Sequence, residues 1–183
     1  MAQPTIIDGV YTLRKKIGQG GMAAVFLADL DLTRFDYSVL YAYTQVEAAS
    51  HAERRAKAEA FAAELKTKAL DPATVRAILE THKIPLPTET VAVKVCTASA
   101  MQDRFEGEWK NLLCLNHDNV VKVYGGGTYM KRPYYAMELL EGMISPAKIG
   151  KTCSIGEKLA IVAQAAHGLS YLHGHGLVHR DVK

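Results

Sequence analysis

The chain has 183 residues, 49% of them hydrophobic and 22% charged; these ordinary globular values allow one full domain, or one small domain with part of a second, and exclude disorder as the main state. A net charge of +3 is too weak to point to nucleic acid or a membrane surface as principal partner. Cys96, Cys114 and Cys153 are widely spaced and odd in number, so they read as reduced thiols of a cytoplasmic protein; no apolar signal core opens the chain, and no apolar run approaches the roughly 20 residues that span a bilayer.

Val10 to Ile17 predicts a strand, Gly18-Gln19-Gly20-Gly21 a turn, and Ala24 to Leu30 a second strand. Glu47 to Leu70 is Ala-rich, with Glu53/Lys57 and Glu64/Lys68 at the acid-first i,i+4 spacing, and predicts a helix of about 24 residues. Asp71 and Pro72 cap and open a second helix to about His82, which Pro85 and Pro87 close. Phe61, Leu65 and Leu70 on the first helix and Val75, Ile78 and Leu79 on the second supply one shared apolar face, and Tyr37, Leu40, Tyr41 and Tyr43 could dock the pair to a sheet. The Ala-rich stripe lacks the sustained large a/d residues of a coiled-coil arm. Thr90 to Cys96 predicts a strand with Lys94 inside an apolar run. From Asp103 to Asn116, Phe105, Glu108, Leu112 and Leu115 share one helix face, and Gly107 within it costs about 1 kcal/mol against Ala. Val120 to Tyr124 and Tyr134 to Leu140 predict strands joined through a Gly-rich turn region. Ser154 and Glu157 form a capping box opening a helix with Leu159, Val162, Ala163, Ala166, Leu169 and Leu172 inward, ended by Gly174 and Gly176.

Three constellations carry chemistry. Gly18 to Val25 lies between two strands, which excludes a Rossmann turn and a Walker loop, because both open a helix. It suits a hairpin whose bare backbone lies over phosphates, although an ordinary Gly-rich hairpin has the same composition. Lys94 on an apolar strand and Glu108 on an apolar helix face each need a partner, and the economical solution is that they pair; the plainer one is a Lys snorkelling at a strand edge and a solvated Glu. In His179-Arg180-Asp181-Val182-Lys183, an Asp on a loop can accept the proton of a substrate hydroxyl, and a Lys two residues on can steady a moving phosphoryl group. His173, His175 and His179 fit no usual zinc spacing, so no metal ligand is assigned.

Taken together, IGQGGMAAVF, VAVK, LNHDNVVKVYG, YAMELLEG and YLHGHGLVHRDVK resemble, in family order, the motifs of the eukaryotic-like (Hanks-type) Ser/Thr protein kinases, and most closely their bacterial branch. The resemblance implies an α+β fold: a small lobe with a five-stranded antiparallel sheet and helix αC, elaborated by a helical insertion, followed by the start of a helical large lobe. It implies ATP and Mg²⁺ as cofactors and transfer of the γ-phosphoryl group to Ser or Thr hydroxyls of protein substrates. Ile17, Gly18, Gln19, Gly20, Gly21, Met22 and Ala23 would form the phosphate-covering loop, and Val25 and Ala92 would sandwich the adenine. Lys94 would hold the α and β phosphates, oriented by Glu108. Met137 would stand at the back of the pocket, and the main chain of Glu138 and Leu140 would hydrogen-bond the adenine edge. Asp181 would be the catalytic base, and Lys183 marks the Ser/Thr form of the loop. Small-molecule phosphotransferases usually carry Gly where Arg180 stands.

The implied divisions are 1–31 for the first strands and Gly-rich loop, 32–88 for the insertion, 89–142 for the rest of the small lobe and hinge, and 143–183 for the start of the large lobe. The loop's third Gly is Ala23. The insertion has no counterpart in the motifs and is expected to serve a regulatory partner. The chain stops before the family's metal-binding Asn and DFG Asp, so it reads as an N-terminal fragment, inactive by itself. The alternative is a nucleotide-binding pseudokinase or scaffold; against it stand Lys94, Glu108 and Asp181.

Overall fold

In the computed structural model, residues 4–38, 40, 42, 50–67, 71–81, 86–113, 115–142, 146–180 and 182 are described. They form two compact units: residues 1–116 with 122–139, and residues 117–121 with 140–183.

The first unit is built on one antiparallel sheet, ordered β1-β2-β3-β4-β6-β5. Its strands are β1 (Ile6–Ile7), β2 (Tyr11–Gln19), β3 (Ala23–Leu30), β4 (Thr90–Cys96), β5 (Val123–Tyr129) and β6 (Arg132–Met137). Five of them are those implied by the resemblance, and the two-residue β1 adds a sixth at the edge. The fold class is therefore α+β, with a kinase-like small-lobe sheet.

The register of this sheet sets the site. Gly18 faces Val25, Val25 faces Lys94, Lys94 faces Tyr135, and Tyr135 faces Gly126, so one row crosses five strands. Side chains of directly paired residues point to the same face, and so do those two positions along a strand. Val25, Ala92, Lys94, Tyr135 and Met137 thus share one face. Helix α3 (Gln102–Leu112) covers it, with Phe105 5.2 Å from the Tyr135 ring and Trp109 over Gly126. On the opposite face Val91, Val93 and Tyr134 are buried. Tyr134 meets Tyr11 edge to face at 5.8 Å, and its hydroxyl donates to Asp8 Oδ2 at 2.6 Å. That bond joins the β1–β2 turn to β6 across two intervening strands, so the sheet is strongly curled.

The strand bounds around the glycines differ from expectation. The second-last strand begins at Val123, not Val120, and Gly125, Gly126 and Gly127 lie within it, not in a turn. The turn is Met130-Lys131, both at positive φ (47° and 62°), the handedness that a tight hairpin demands. Crowding explains the misplaced glycines. A Cβ on Gly126 would lie 2.5 Å from the Tyr134 carbonyl oxygen and 2.9 Å from the Trp109 ring. The last strand ends at Met137, short of Leu140, and α3 ends at Leu112, short of Asn116; Leu115 is nonetheless buried.

The insertion contains α1 (His51–Thr67) and α2 (Pro72–Thr81). Asp71 caps α2, its Oδ2 accepting the Thr74 N–H at 2.9 Å. Glu53 and Lys57 pair at 2.6 Å along α1. Among the described residues, which leave out Leu70 and the Ile78 side chain, the two helices enter different clusters. Val75 and Leu79 join Phe35, Tyr37 and Leu40 in the main core with the sheet residues, whereas Ala58, Ala62 and Leu65 form a separate cluster with Ala42. The sheet core offers more apolar area than a two-helix seam, and α2 takes it. Tyr41, Tyr43, Glu47, Lys68, Leu70, His82, Cys114 and the side chains of Glu64 and Ile78 lie outside the described residues.

In the second unit, α4 (Pro146–Thr152) precedes α5 (Ile155–Gly174). Ser154 and Glu157 make both bonds of the capping box, and the Ser154 N–H and then its hydroxyl, both donating to the Glu157 carboxylate, hold that carboxyl below its ordinary pKa. The α5 face expected to point inward is covered only at its C-terminal end. Loop 117–121 crosses at Gly168, where a Cβ would meet the Asn119 carbonyl oxygen at 2.7 Å, and Leu172 is buried. Leu159 and Val162, by contrast, are about two-thirds exposed at 64% and 65%, and Ala163 and Ala166 are exposed. Among the described residues nothing covers this stripe.

The glycines make a paired test. Gly126→Ala should destabilise the chain by about 1–3 kcal/mol through overpacking. Gly107→Ala, in a helix interior with nothing within 4 Å of the new Cβ, should stabilise it by about 0.5–1 kcal/mol. Urea midpoints measure both; equal shifts would refute the crowding account. A second test uses alkali. Burial is the first cause raising both Tyr11 and Tyr134 above the ordinary tyrosine value. A raised folded pKa gives stability that is complete below the ordinary value, about 10, and is lost as pH rises beyond it. The two phenols should therefore ionise only as the chain unfolds, seen as coincident tyrosinate absorbance and loss of circular dichroism.

Candidate nucleotide site

Lys94 Nζ donates to Glu108 Oε1 at 2.7 Å, and the two side chains are 22% and 34% exposed. The pairing expected of these two residues is thus made between β4 and α3. The sheet places Lys94 by its register, and α3 places Glu108 by its period. Phe105 and Trp109, four residues apart, are buried, and Glu108 lies on the helix beside them. An ammonium on an otherwise apolar strand is tolerable there because a carboxylate and two aromatic faces meet it. Its nitrogen lies 5.5 Å from the Phe105 ring centre and 5.2 Å from that of Tyr135.

Tyr135 is a member of this cluster that sequence reading passed over. Its hydroxyl lies 2.9 Å from Lys94 Nζ and 2.9 Å from Glu108 Oε1. Burial first, and then the Glu108 charge and hydrogen bond, push the Tyr135 phenol far above its ordinary pKa. The signal was present as the position facing Lys94 in the ladder, but register is needed to see it.

The Gly-rich segment is the hairpin between β2 and β3, closed by the Gly20 N–H donating to the Ala23 carbonyl at 2.9 Å. None of Gly18, Gly20 and Gly21 has positive φ. A Cβ on Gly18 would meet Val25 at an ordinary 3.5 Å, one on Gly20 would meet the Ala23 carbonyl at 3.8 Å, and one on Gly21 would meet nothing within 4 Å. Neither backbone strain nor packing within the chain requires glycine at these three places. Ile17 is 44% exposed beside them, Met22 packs against the core, and Gln19 donates to the Gly20 carbonyl at 3.2 Å. Ala92 is buried opposite Met137. The Glu138 N–H is committed to the Lys122 carbonyl at 2.9 Å, while Glu138 Oε1 accepts the Lys122 N–H at 2.7 Å, which anchors the chain as it leaves β6.

Leu140 belongs to the second unit and is 47% exposed. There, Leu172 accepts the Leu177 N–H and His173 accepts the Gly176 N–H, both at 2.9 Å, with Gly176 at φ 73°. This double bond pattern ends α5 and turns the chain into His179 and Arg180. Arg180 itself has φ 61°, an uncommon conformation for a residue with a side chain. Asp181 and Lys183 lie outside the described residues. Among the described residues no group of three His, Cys, Asp or Glu side chains is set to hold a metal ion.

Comparison with known proteins agrees with this geometry. The family model for protein tyrosine and serine/threonine kinases matches residues 72–183, more than half of the chain. Serine/threonine-protein kinase Pkn1 of Myxococcus xanthus is 32% identical over 98 residues, which are 51% of this chain and 14% of that protein. Serine/threonine-protein kinase PknB of Mycolicibacterium smegmatis is 36% identical over 104 residues, 51% of this chain and 17% of that one. The chain thus spans only a small part of the curated relatives it matches. The crystal structure of the Mycobacterium tuberculosis PknI kinase domain superposes on all of this chain and on 55% of its own length, with a TM-score of 0.57 at 20% identity, a likeness of fold. The curled sheet, the Lys94–Glu108 pair and the family match lead to one conclusion: this chain belongs to the protein tyrosine and serine/threonine kinase family.

Proposed function

We propose that the chain is the nucleotide-binding part of a Ser/Thr protein kinase that, as a full-length protein, moves the γ-phosphoryl group of ATP to Ser or Thr hydroxyls of protein substrates. The observation that carries the reading is the Lys94–Glu108 pair at 2.7 Å, on the sheet face that also bears Val25, Ala92 and Met137. A lysine ammonium that donates to Glu108 and Tyr135 has one N–H bond left for a phosphate oxygen. The hairpin glycines at 18, 20 and 21, required by nothing inside the chain, suit backbone N–H groups that a phosphate approaches closely. In this reading Val25 and Ala92 contact the adenine, Met137 closes the back of the pocket, and the main chain of Glu138 and Leu140 reads the adenine edge. Asp181 takes the hydroxyl proton and Lys183 steadies the phosphoryl group. Mg²⁺, when bound, would neutralise phosphate charge; among the described residues no group of three His, Cys, Asp or Glu side chains is set to hold it. The reading places the protein in the cytoplasm; among the described residues no helix is long and apolar enough to cross a membrane.

The insertion is read as the seat of a regulatory partner. Arg55 Nη1 on α1 donates to Asn111 Oδ1 on α3 at 3.0 Å, and Glu59 Oε1 lies 4.0 Å from Lys110 Nζ. Lys110 and Asn111 lie on the side of α3 away from Phe105, with Lys110 Nζ 5.9 Å from the Trp109 ring centre. A protein that shifts α1 therefore acts on the helix that carries Glu108.

Two measurements test these statements. In the full-length protein, Asp181→Asn should lower kcat about 10²–10⁴-fold, as loss of a general base does, and leave the ATP affinity unchanged; full activity of that variant would sink the kinase reading. Arg55→Ala combined with Glu59→Ala should change kcat/KM for ATP by about twofold to fivefold, the size of exposed polar contacts, without lowering the urea midpoint appreciably. No change in kcat/KM would remove α1 from the regulation of α3.

A further inference from the structure

We propose that Tyr135 is a positioning residue for the nucleotide phosphates: its hydroxyl closes a three-membered network with Lys94 and Glu108 that holds the ammonium in one orientation before any nucleotide arrives. The inference rests on the nucleotide-binding reading of the site.

The direction of each bond follows from chemistry. An ammonium has only donors and an ionised carboxylate only acceptors. The Tyr135 hydroxyl, 2.9 Å from each, must therefore accept from Lys94 and donate to Glu108. With Lys94 also donating to Glu108 at 2.7 Å, the three groups form a closed ring. Two of the three ammonium N–H bonds are then spoken for, and the third is left for a phosphate oxygen. An ion pair through one N···O contact can pivot about that contact, whereas a ring of three bonds cannot pivot without breaking one.

The phenol is itself rigidly held. It stands on β6 directly across the ladder from Lys94, its ring is buried, and Phe105 of α3 packs on it at 5.2 Å. The ring must keep its proton to donate to Glu108, and burial with the adjacent Glu108 charge pushes its ionisation far above neutral pH. Tyr135 thus ties the sheet to the carboxylate of α3 by a bond independent of the Lys94–Glu108 contact. Moving Glu108 away from the sheet costs two hydrogen bonds, not one. A tyrosine that only filled the core would need no hydroxyl at this distance from both charges.

The test compares the full chain with Tyr135→Phe, which keeps the ring and removes the hydroxyl. Both are titrated calorimetrically with ATP in the presence of Mg²⁺ and with adenosine, which lacks the phosphates. The expected result is that Tyr135→Phe weakens ATP about tenfold, equivalent to about 1.4 kcal/mol, and leaves adenosine within about twofold. Adenosine binding doubles as the check that the variant is folded. Amide exchange across 102–112 should also quicken in the variant. If ATP and adenosine weaken equally, or ATP does not weaken, Tyr135 is only a core residue and the inference falls while the nucleotide reading stands. If the wild-type chain binds neither compound, the nucleotide reading falls and takes the inference with it.

Discussion

The structure turns on a single awkward charge. Lys94 sits in the middle of Thr90–Cys96, a strand whose other side chains are mostly buried. A lone ammonium there would be desolvated without return. A carboxylate brought by α3, a phenol brought by β6 and two aromatic faces meet it. These partners arrive on two elements, Glu108 and Phe105 on α3 and Tyr135 on β6, so the charge can be accommodated only if α3 and β6 are in place together. The approach of α3 depends in turn on Gly126, whose missing side chain lets Trp109 lie on β5.

Glycine appears in this chain for two physically distinct reasons. At Gly126 and Gly168 the protein's own atoms occupy the space a Cβ would need. At Gly18, Gly20 and Gly21 a Cβ would meet at most ordinary van der Waals contact and the backbone is unstrained. The first kind is explained by packing. The second has no explanation within the chain and is the kind that a ligand explains. Composition alone treats both as Gly-rich segments, which is why the run at 125–127 resembled a turn and proved to be a strand.

The insertion illustrates how a long connection is absorbed. Doubling the length of a closed loop adds only about 0.6 kcal/mol of chain entropy, and β3 and β4 still pair along their full length. The added residues do not form an independent appendage. One helix surrenders Val75 and Leu79 to the main core, and the other lies against α3 with a small alanine-rich cluster of its own. The insertion is thereby coupled to the helix that carries the site's carboxylate.

Local signals were strong wherever a residue's role depends on its neighbours in sequence. The hairpin between two strands, the Asp71 and Ser154 caps, the lysine strand and the face shared by Phe105 and Glu108 were all legible, because hydrogen-bonding and periodicity over a few residues determine them. The Lys94–Glu108 pairing was legible too, because two charges of opposite sign set among apolar residues leave few alternatives. What could not be read were the outcomes that depend on register and on which apolar surfaces compete. Tyr135 enters the charge cluster only because the ladder sets it opposite Lys94. Asp8 reaches Tyr134 only because the sheet curls. The apolar period of α5 foretold a covered stripe, but the described structure covers it only near Gly168 and Leu172. By itself the amino-acid sequence determined the local elements and the pairing of Lys94 with Glu108; the tertiary structure alone decided which further residues meet them, because contacts across strands and between helices are set by long-range packing that no short stretch of chain contains.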